Sequence, residues 1–311
     1  FGMVEVSEGN LFGRGQIVKL KTKVSDESVL FSLRFVEPWL FDIPLSSGVE
    51  IYHLDEEFDY YDKRSKGGGF NFSYPIFEDT RVGITYSYED FIISNVDEIY
   101  TTVDEGHYLT TSLTPHITYD SRDRTFCPTK GVYSTLSVEY ADEALGGDIS
   151  FIKSIAEVGV YIPLFWKFTW VLHGKGAFLD DKTDGSPDID YERFYQGGIN
   201  SIRGFKSRDI YATKINGEER GGEKLIQFNT EITFPIVEDQ GISGVVFYDQ
   251  GDVFLENQTM TLSDNYSSFG LGVRWDSPMG PMRLEYGIVN NGKGIEEDGN
   301  GRFQFSVGAR F

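Results

Sequence analysis

Residues 266–277, YSSFGLGVRWDS, alternate strictly: Phe269, Leu271, Val273 and Trp275 share one parity, and Gly270, Gly272, Arg274 and Asp276 share the other. A period of two places successive side chains on opposite faces, which is the signature of a β-strand. The pattern recurs along the chain. In 224–234, Ile226, Phe228, Thr230, Ile232 and Phe234 oppose Gln227, Asn229, Glu231 and Thr233. In 281–289, Met282, Leu284, Tyr286 and Ile288 oppose Arg283, Glu285 and Gly287, and in 302–311 Phe303, Phe305, Val307, Ala309 and Phe311 oppose Gln304, Ser306, Gly308 and Arg310. Helical spacing is hard to find. The pattern predicts strands near 1–6, 16–24, 28–37, 46–58, 67–74, 80–91, 107–120, 131–140, 149–161, 167–180, 224–234, 242–254, 266–277, 281–289 and 302–311, about fifteen in all. Many are longer than the usual soluble strand and match the ~9–11 tilted residues that cross a bilayer.

The connections sort into two kinds. One set is short and proline-bearing: 37–44, 74–80, 121–131, 162–166, 234–240 and 277–281. The other holds longer, acidic stretches: 55–66, 93–105 and 181–223. Eight of the ten prolines fall in the first set, leaving Pro115 and Pro187. A soluble sandwich, the competing fold, has no reason to sort its loops. A transmembrane antiparallel β-barrel does, with short turns at the periplasmic end and long loops outside. Trp39, Trp166, Trp170 and Trp275 near strand ends suit interfacial girdles. In such a barrel the apolar face meets lipid and the polar face lines the lumen. Lumenal charges need partners, because an isolated buried charge is costly. Glu231, Arg274, Arg283 and Glu285 therefore ask for them.

Composition is compatible. The 311 residues are 40% hydrophobic and 15% aromatic, too apolar for a disordered chain. The formal net charge of −21 disfavours nucleic acid as a partner, because phosphate repels an acidic surface. A single Cys127 excludes an intrachain disulfide and a cysteine-cluster metal site. No apolar run approaches the ~18 residues of a transmembrane helix, a test that barrels escape. The chain opens mid-pattern, as a piece of something longer would. The four histidines, His53, His107, His116 and His173, stand in no nucleophile–base motif, so no catalytic residue is expected. The acidic stretch 180–190 has Tyr191 where an EF-hand loop needs its bidentate glutamate, so no metal or other cofactor is expected.

One loop segment is unusually constrained: residues 197–205, GGINSIRGF, in the longest acidic connection. It resembles the (V/I)RGF loop motif of the BamA family of outer-membrane assembly barrels. Other stretches agree in order: 119–131, YDSRDRTFCPTKG; 247–254, FYDQGDVF; 269–287, FGLGVRWDSPMGPMRLEYG; and the closing 302–311, RFQFSVGARF. Related TamA-like and two-partner secretion barrels share the loop motif and the aspartate-x-glycine strand. The resemblance covers most of the chain and is densest from residue 108 onward.

What the resemblance implies goes further than alternation. The family has a 16-stranded barrel in the outer membrane of Gram-negative bacteria, preceded by periplasmic POTRA domains. Aligned backward from Phe311, this chain covers the barrel from its second strand, over 1–311, with an inward-folded loop at about 181–223 and without the POTRA domains. The loop motif carries over as Ile202, Arg203, Gly204 and Phe205, with Arg203 paired to acids on the two following strands, here Glu231 and Asp249. Alternation agrees for Glu231. Asp249 shares parity with the apolar Val245 and Phe247, which calls for a bulge near Gly251 to re-aim it. Gly204 would permit a tight turn and Phe205 would pack on the wall. Phe303, Phe305, Gly308 and Phe311 fall on the closing strand, which in the family pairs weakly with the first strand and opens as a lateral gate. The implied partners are nascent β-barrel proteins, outer-membrane lipids, lipopolysaccharide and accessory lipoproteins reached through the POTRA domains. The alternative is a TamA-like or two-partner secretion transporter pore.

Overall fold

The computed structural model describes residues 2–25, 28–58, 60–97, 103–125, 127–183, 189–215, 217–277, 280–293 and 301–307. Gly308 and Phe311 of the sequence reading lie outside the described residues. The fold is all-β and antiparallel. Strands β1 (Gly2–Leu11), β2 (Gln16–Val24), β3 (Ser28–Glu37), β4 (Ser46–Phe58), β5 (Tyr61–Phe77), β6 (Thr80–Ser94), β7 (Gly106–Asp120), β8 (Gly131–Ala141), β9 (Phe151–Pro163) and β10 (Thr169–Asp181) follow one another. A short hairpin, β11 (Thr213–Ile215) and β12 (Glu218–Arg220), lies in the long connection. Strands β13 (Lys224–Val237), β14 (Ile242–Phe254), β15 (Tyr266–Ser277), β16 (Gly280–Asn291) and β17 (Gly301–Val307) complete the chain. The fifteen long strands are hydrogen-bonded neighbours in sequence order, and β11–β12 stands apart. No helix among the described residues is long and apolar enough to cross a membrane, which says nothing about strands.

Two compact units divide the contacts. One comprises 1–118, 136–154 and 179–191; the other comprises 119–135, 155–178 and 192–311. In the second, the faces are inverted relative to a soluble protein. Val246, Phe269, Leu271, Val273, Leu284, Phe303 and Phe305 are exposed, while Gln227, Asn229, Glu231, Asp249, Arg283 and Glu285 are buried. An apolar outer face with a polar buried face is stable only where the surroundings are lipid.

Exposed aromatics cluster at the short connections: Phe12, Trp39, Phe41, Phe77, Phe165 and Trp166. Their rings fit the membrane boundary, where an apolar body and a polar edge are both accommodated. Trp170 donates from Nε1 to Thr230 Oγ1 at 2.8 Å, and Trp275 donates to the Gln240 carbonyl at 3.0 Å.

One expectation needs correction. Residues 55–66 are not a long loop. β4 runs to Phe58 and β5 starts at Tyr61, pairing from Phe58↔Tyr61 onward. The alternation continues there in other residue types: Tyr61, Lys63 and Ser65 are buried, while Arg64 points outward and donates to Asp55 at 3.0 Å. The 17 residues of β5 extend about 56 Å at ~3.3 Å per residue. That exceeds a ~30 Å hydrocarbon core, so charge is tolerated on both faces at the far end.

Candidate functional site

The constrained loop folds on itself before it meets the wall. Gly198 N–H donates to the Phe205 carbonyl at 3.1 Å, Ser201 N–H to the Gly198 carbonyl at 3.1 Å, and Gly197 N–H to Ser201 Oγ at 2.8 Å. The strand-like bridges Phe194↔Gly222 and Gln196↔Ile210 close the neck of the loop. Gly204 has φ +92°, a conformation that favours glycine over any L side chain. A Cβ there would lie 3.1 Å from the backbone of Gly287 in β16. Gly287 is the reciprocal constraint, since its own Cβ would meet the amide of Gly204 and the carbonyl carbon of Arg203. Two glycines thus let loop and strand touch backbone to backbone.

This approach delivers Arg203 to a pocket of three carboxylates. Its Nε donates to Asp249 Oδ2 at 2.7 Å and its Nη2 to Asp249 Oδ1 at 2.6 Å, a bidentate fork. The Arg203 backbone N–H adds a bond to Oδ2 at 3.0 Å. Nη1 donates to Glu231 Oε1 at 2.6 Å and to Glu285 Oε2 at 2.9 Å. The guanidinium carbon lies 3.5 Å from the centroid of the Phe247 ring. Arg203, Asp249 and Glu285 are all 0% exposed. Burial disfavours the charge on Arg203, but the surrounding carboxylates, Asp249 foremost, outweigh it and hold the pKa well above the ordinary arginine value. A lysine could not reproduce the fork.

Two more arginines complete the network. Arg274 donates to both oxygens of Glu231 at 2.8 Å and from Nε to Glu285 Oε1 at 2.7 Å. Arg283 binds Glu285 at 3.0 and 3.1 Å and reaches back to the loop, to Asn200 Oδ1 at 3.2 Å and the Ile199 carbonyl at 3.1 Å. Three arginines therefore face three carboxylates, and the buried cluster is neutral. Around it, Asn229 donates to Asp249 Oδ1 and to the Ser201 carbonyl, both at 2.8 Å. The Asn229 Oδ1 lies 3.0 Å from His173 Nδ1, whose Nε2 is 2.8 Å from Glu157.

The structure brings Ile202, Arg203, Gly204 and Phe205 together with Glu231 and Asp249. Ile202 and Phe205 are fully buried, and Phe205 meets Tyr266 edge-on at 5.7 Å. The expected bulge near Gly251 does not occur. The β13–β14 register is regular from Lys224↔Phe254 to Pro235↔Ser243, so Asp249 stays on the buried face with Val245 and Phe247. That face of β14 is itself apolar, because Phe247 floors the arginine site. Phe303 and Phe305 point away from the cluster and are exposed, whereas Gln304 between them grips the loop. Its Oε1 accepts from Gly204 N–H at 3.2 Å and its Nε2 donates to the Phe205 carbonyl at 2.8 Å.

Gln304, Phe247, Gly287 and the direct bond from Arg203 to Glu285 are the parts that sequence reasoning did not assign. Parity placed Gln304 and Glu285 on the right face, but nothing in one sequence says which polar wall residues a distant loop will reach. The arrangement contains no nucleophile–base pair. What it can do is fix a loop electrostatically to four strands, β13, β14, β16 and the last strand, β17.

A family model described as the Omp85 superfamily domain matches residues 10–311. The chain is similar to the outer membrane protein assembly factor BamA of Nitratidesulfovibrio vulgaris, 33% identical over 316 residues, which covers 98% of this chain and 39% of that protein. It is 26% identical to BamA of Neisseria meningitidis serogroup B over 369 residues, covering 98% of this chain and 44% of that protein. The chain thus spans less than half the length of these curated relatives. Among solved structures, BamA from Haemophilus ducreyi lacking POTRA domains 1-3 matches with a TM-score of 0.79 at 18% identity, over 97% of this chain and 65% of that one. That likeness is one of fold.

Proposed function

The chain belongs to the Omp85 superfamily, and from that premise we propose that it is the barrel of an assembly factor that folds and inserts β-barrel proteins into the bacterial outer membrane. The barrel fold and the outer-membrane location follow from the family and its relatives. The work is mechanical and templating, and needs no nucleotide, metal or catalytic side chain. An unpaired strand edge is a strong template for another strand, and natural proteins normally suppress it. Here the edge of β17 serves as that template, within a lateral gate formed by the first and last strands of the barrel. Nascent barrel proteins add to it strand by strand before release into the lipid.

The observation that carries this reading is that one loop is held both by the buried carboxylates, through its own Arg203, and by Gln304 of β17. It links the buried charge cluster to the last strand, so the loop's position and the edge strand's position depend on each other. The exposed Phe303 and Phe305 beside Gln304 fit a gate strand that faces lipid. Outer-membrane lipids and lipopolysaccharide surround the apolar face, and accessory lipoproteins engage POTRA domains of the kind named for the Haemophilus ducreyi protein.

A photocrosslinker at Phe305 of the full-length protein tests the template directly. In cells pulse-labelled during barrel synthesis, adducts to unfolded barrel precursors should form and then decay on chase. Absence of adducts from positions 303–306, in cells that assemble barrels at the normal rate, would overturn it.

A further inference from the structure

We propose that Lys63 is a positioning residue for the inward loop, clasping its root through Tyr191 independently of the Arg203 anchor at its tip. Lys63 lies on the stretch of β5 that reads in sequence as a solvated loop. The strand's alternation separates it from its neighbours. Arg64 is outward, its side chain 69% exposed, whereas Lys63 is 5% exposed on the buried face. A buried ammonium is costly unless its charge is met. Glu89 of β6 accepts from Nζ at 3.0 Å. Two rings meet it as well: Nζ is 4.7 Å from the centroid of Phe91 and 4.3 Å from that of Tyr191.

Phe91 belongs to β6, but Tyr191 belongs to the turn Asp190–Glu192, in the first part of the long connection between β10 and β13. The two rings also touch edge to face at 5.1 Å, so the ammonium and both rings form one closed contact. Ile189, next to this turn, is 0% exposed.

The geometry mirrors the tip. At the tip, a loop cation lies on a wall aromatic, Arg203 over Phe247. At the root, a wall cation lies against a loop aromatic. Tyr191 and Arg203 bracket residues 192–202, so each contact can hold its end of the loop while the other opens. A cation–π contact between desolvated partners depends on the ring face, not on apolar bulk alone. That separates a clasp from ordinary packing, because phenylalanine keeps the ring and leucine only the volume.

The inference rests on the reading of this loop as the functional element, but its test needs no assembly activity. In the full-length protein with Cys127→Ser, single reporters Ile189→Cys and Ile202→Cys are labelled with a maleimide in detergent. Lys63→Ala and Tyr191→Leu should each raise the labelling rate at position 189 about tenfold, the effect of losing a desolvated cation–π contact. Position 202 should stay protected. Lys63→Arg and Tyr191→Phe should label at the parent rate. If Tyr191→Leu labels no faster than Tyr191→Phe, Lys63 is packing and the clasp is wrong. That comparison decides the matter even where Lys63→Ala fails to fold. Loss of barrel assembly with unchanged labelling would count against the clasp while leaving the proposed function standing.

Discussion

Asp249→Asn removes one charge from the buried cluster with almost no change in shape. The carboxylate accepts four hydrogen bonds: from Arg203 N–H at 3.0 Å, Nε at 2.7 Å and Nη2 at 2.6 Å, and from Asn229 at 2.8 Å. All four partners donate, so an amide places its own NH2 against at least one donor. The charge count falls from three arginines on three carboxylates to three on two. Leaving one buried cation uncompensated costs about 3–5 kcal/mol. Swinging the loop out returns Arg203 to water and relieves that cost. The opening equilibrium therefore shifts by about a hundredfold or more, at ~1.4 kcal/mol per decade. Maleimide labelling of Ile202→Cys, in the Cys127→Ser background, reads it out, because Ile202 is 0% exposed when the loop is in. The double variant Arg203→Met/Asp249→Asn leaves two arginines on two carboxylates. It should recover much of the protection, the non-additivity expected of residues in one network. A labelling rate for Asp249→Asn within about twofold of the parent, or a double variant as open as the two single effects combined, would refute the reasoning.

Gly287→Ala should displace the loop, because its Cβ would meet the backbone of Gly204 and Arg203; overpacking of this kind costs about 1–3 kcal/mol. Gly176→Ala in β10 is the control, since nothing lies within 4 Å of its Cβ position, and the same labelling assay compares the two. On the lipid-facing side, Leu271→Arg should lower the fraction folded, because a cation near the bilayer midplane costs ~2–4 kcal/mol. Asp239→Arg, in the turn after β13, should not. Urea titration followed by heat-modifiable electrophoretic mobility measures both.

Much of the fold was legible because the membrane imposes a simple rule on sequence: one face apolar, one face polar, for nine or more residues at a time. The strand 266–277 obeys it cleanly, and its ends lie where the alternation stops. The rule weakens where strands rise beyond the hydrocarbon. There Lys63, Arg64 and Lys66 read as a loop, although β5 passes straight through them. The hairpin Thr213–Ile215/Glu218–Arg220 escaped notice because three-residue strands are too short to show a period.

The site was legible in part. Arg203 stood out as an arginine among glycines, and parity placed Glu231 inward. Parity did not assign Asp249, which only the resemblance named, because its face is apolar elsewhere, with Phe247 serving the arginine as a floor rather than facing lipid. Gln304 and Gly287 meet the loop across about a hundred and about eighty residues of sequence. Contacts at that separation are set by the three-dimensional fold and leave no local pattern to read.

The most direct test of the central claim is barrel assembly in a strain depleted of its own assembly factor and supplied with the full-length protein carrying Arg203→Ala, with Arg203→Lys alongside. If the arginine-anchored loop is part of the assembly machinery, Arg203→Ala should fail to restore folded outer-membrane barrels at membrane levels equal to the parent protein. Arg203→Lys should restore them poorly, since it keeps the charge and loses the fork. Normal assembly by Arg203→Ala at matched levels would contradict the account.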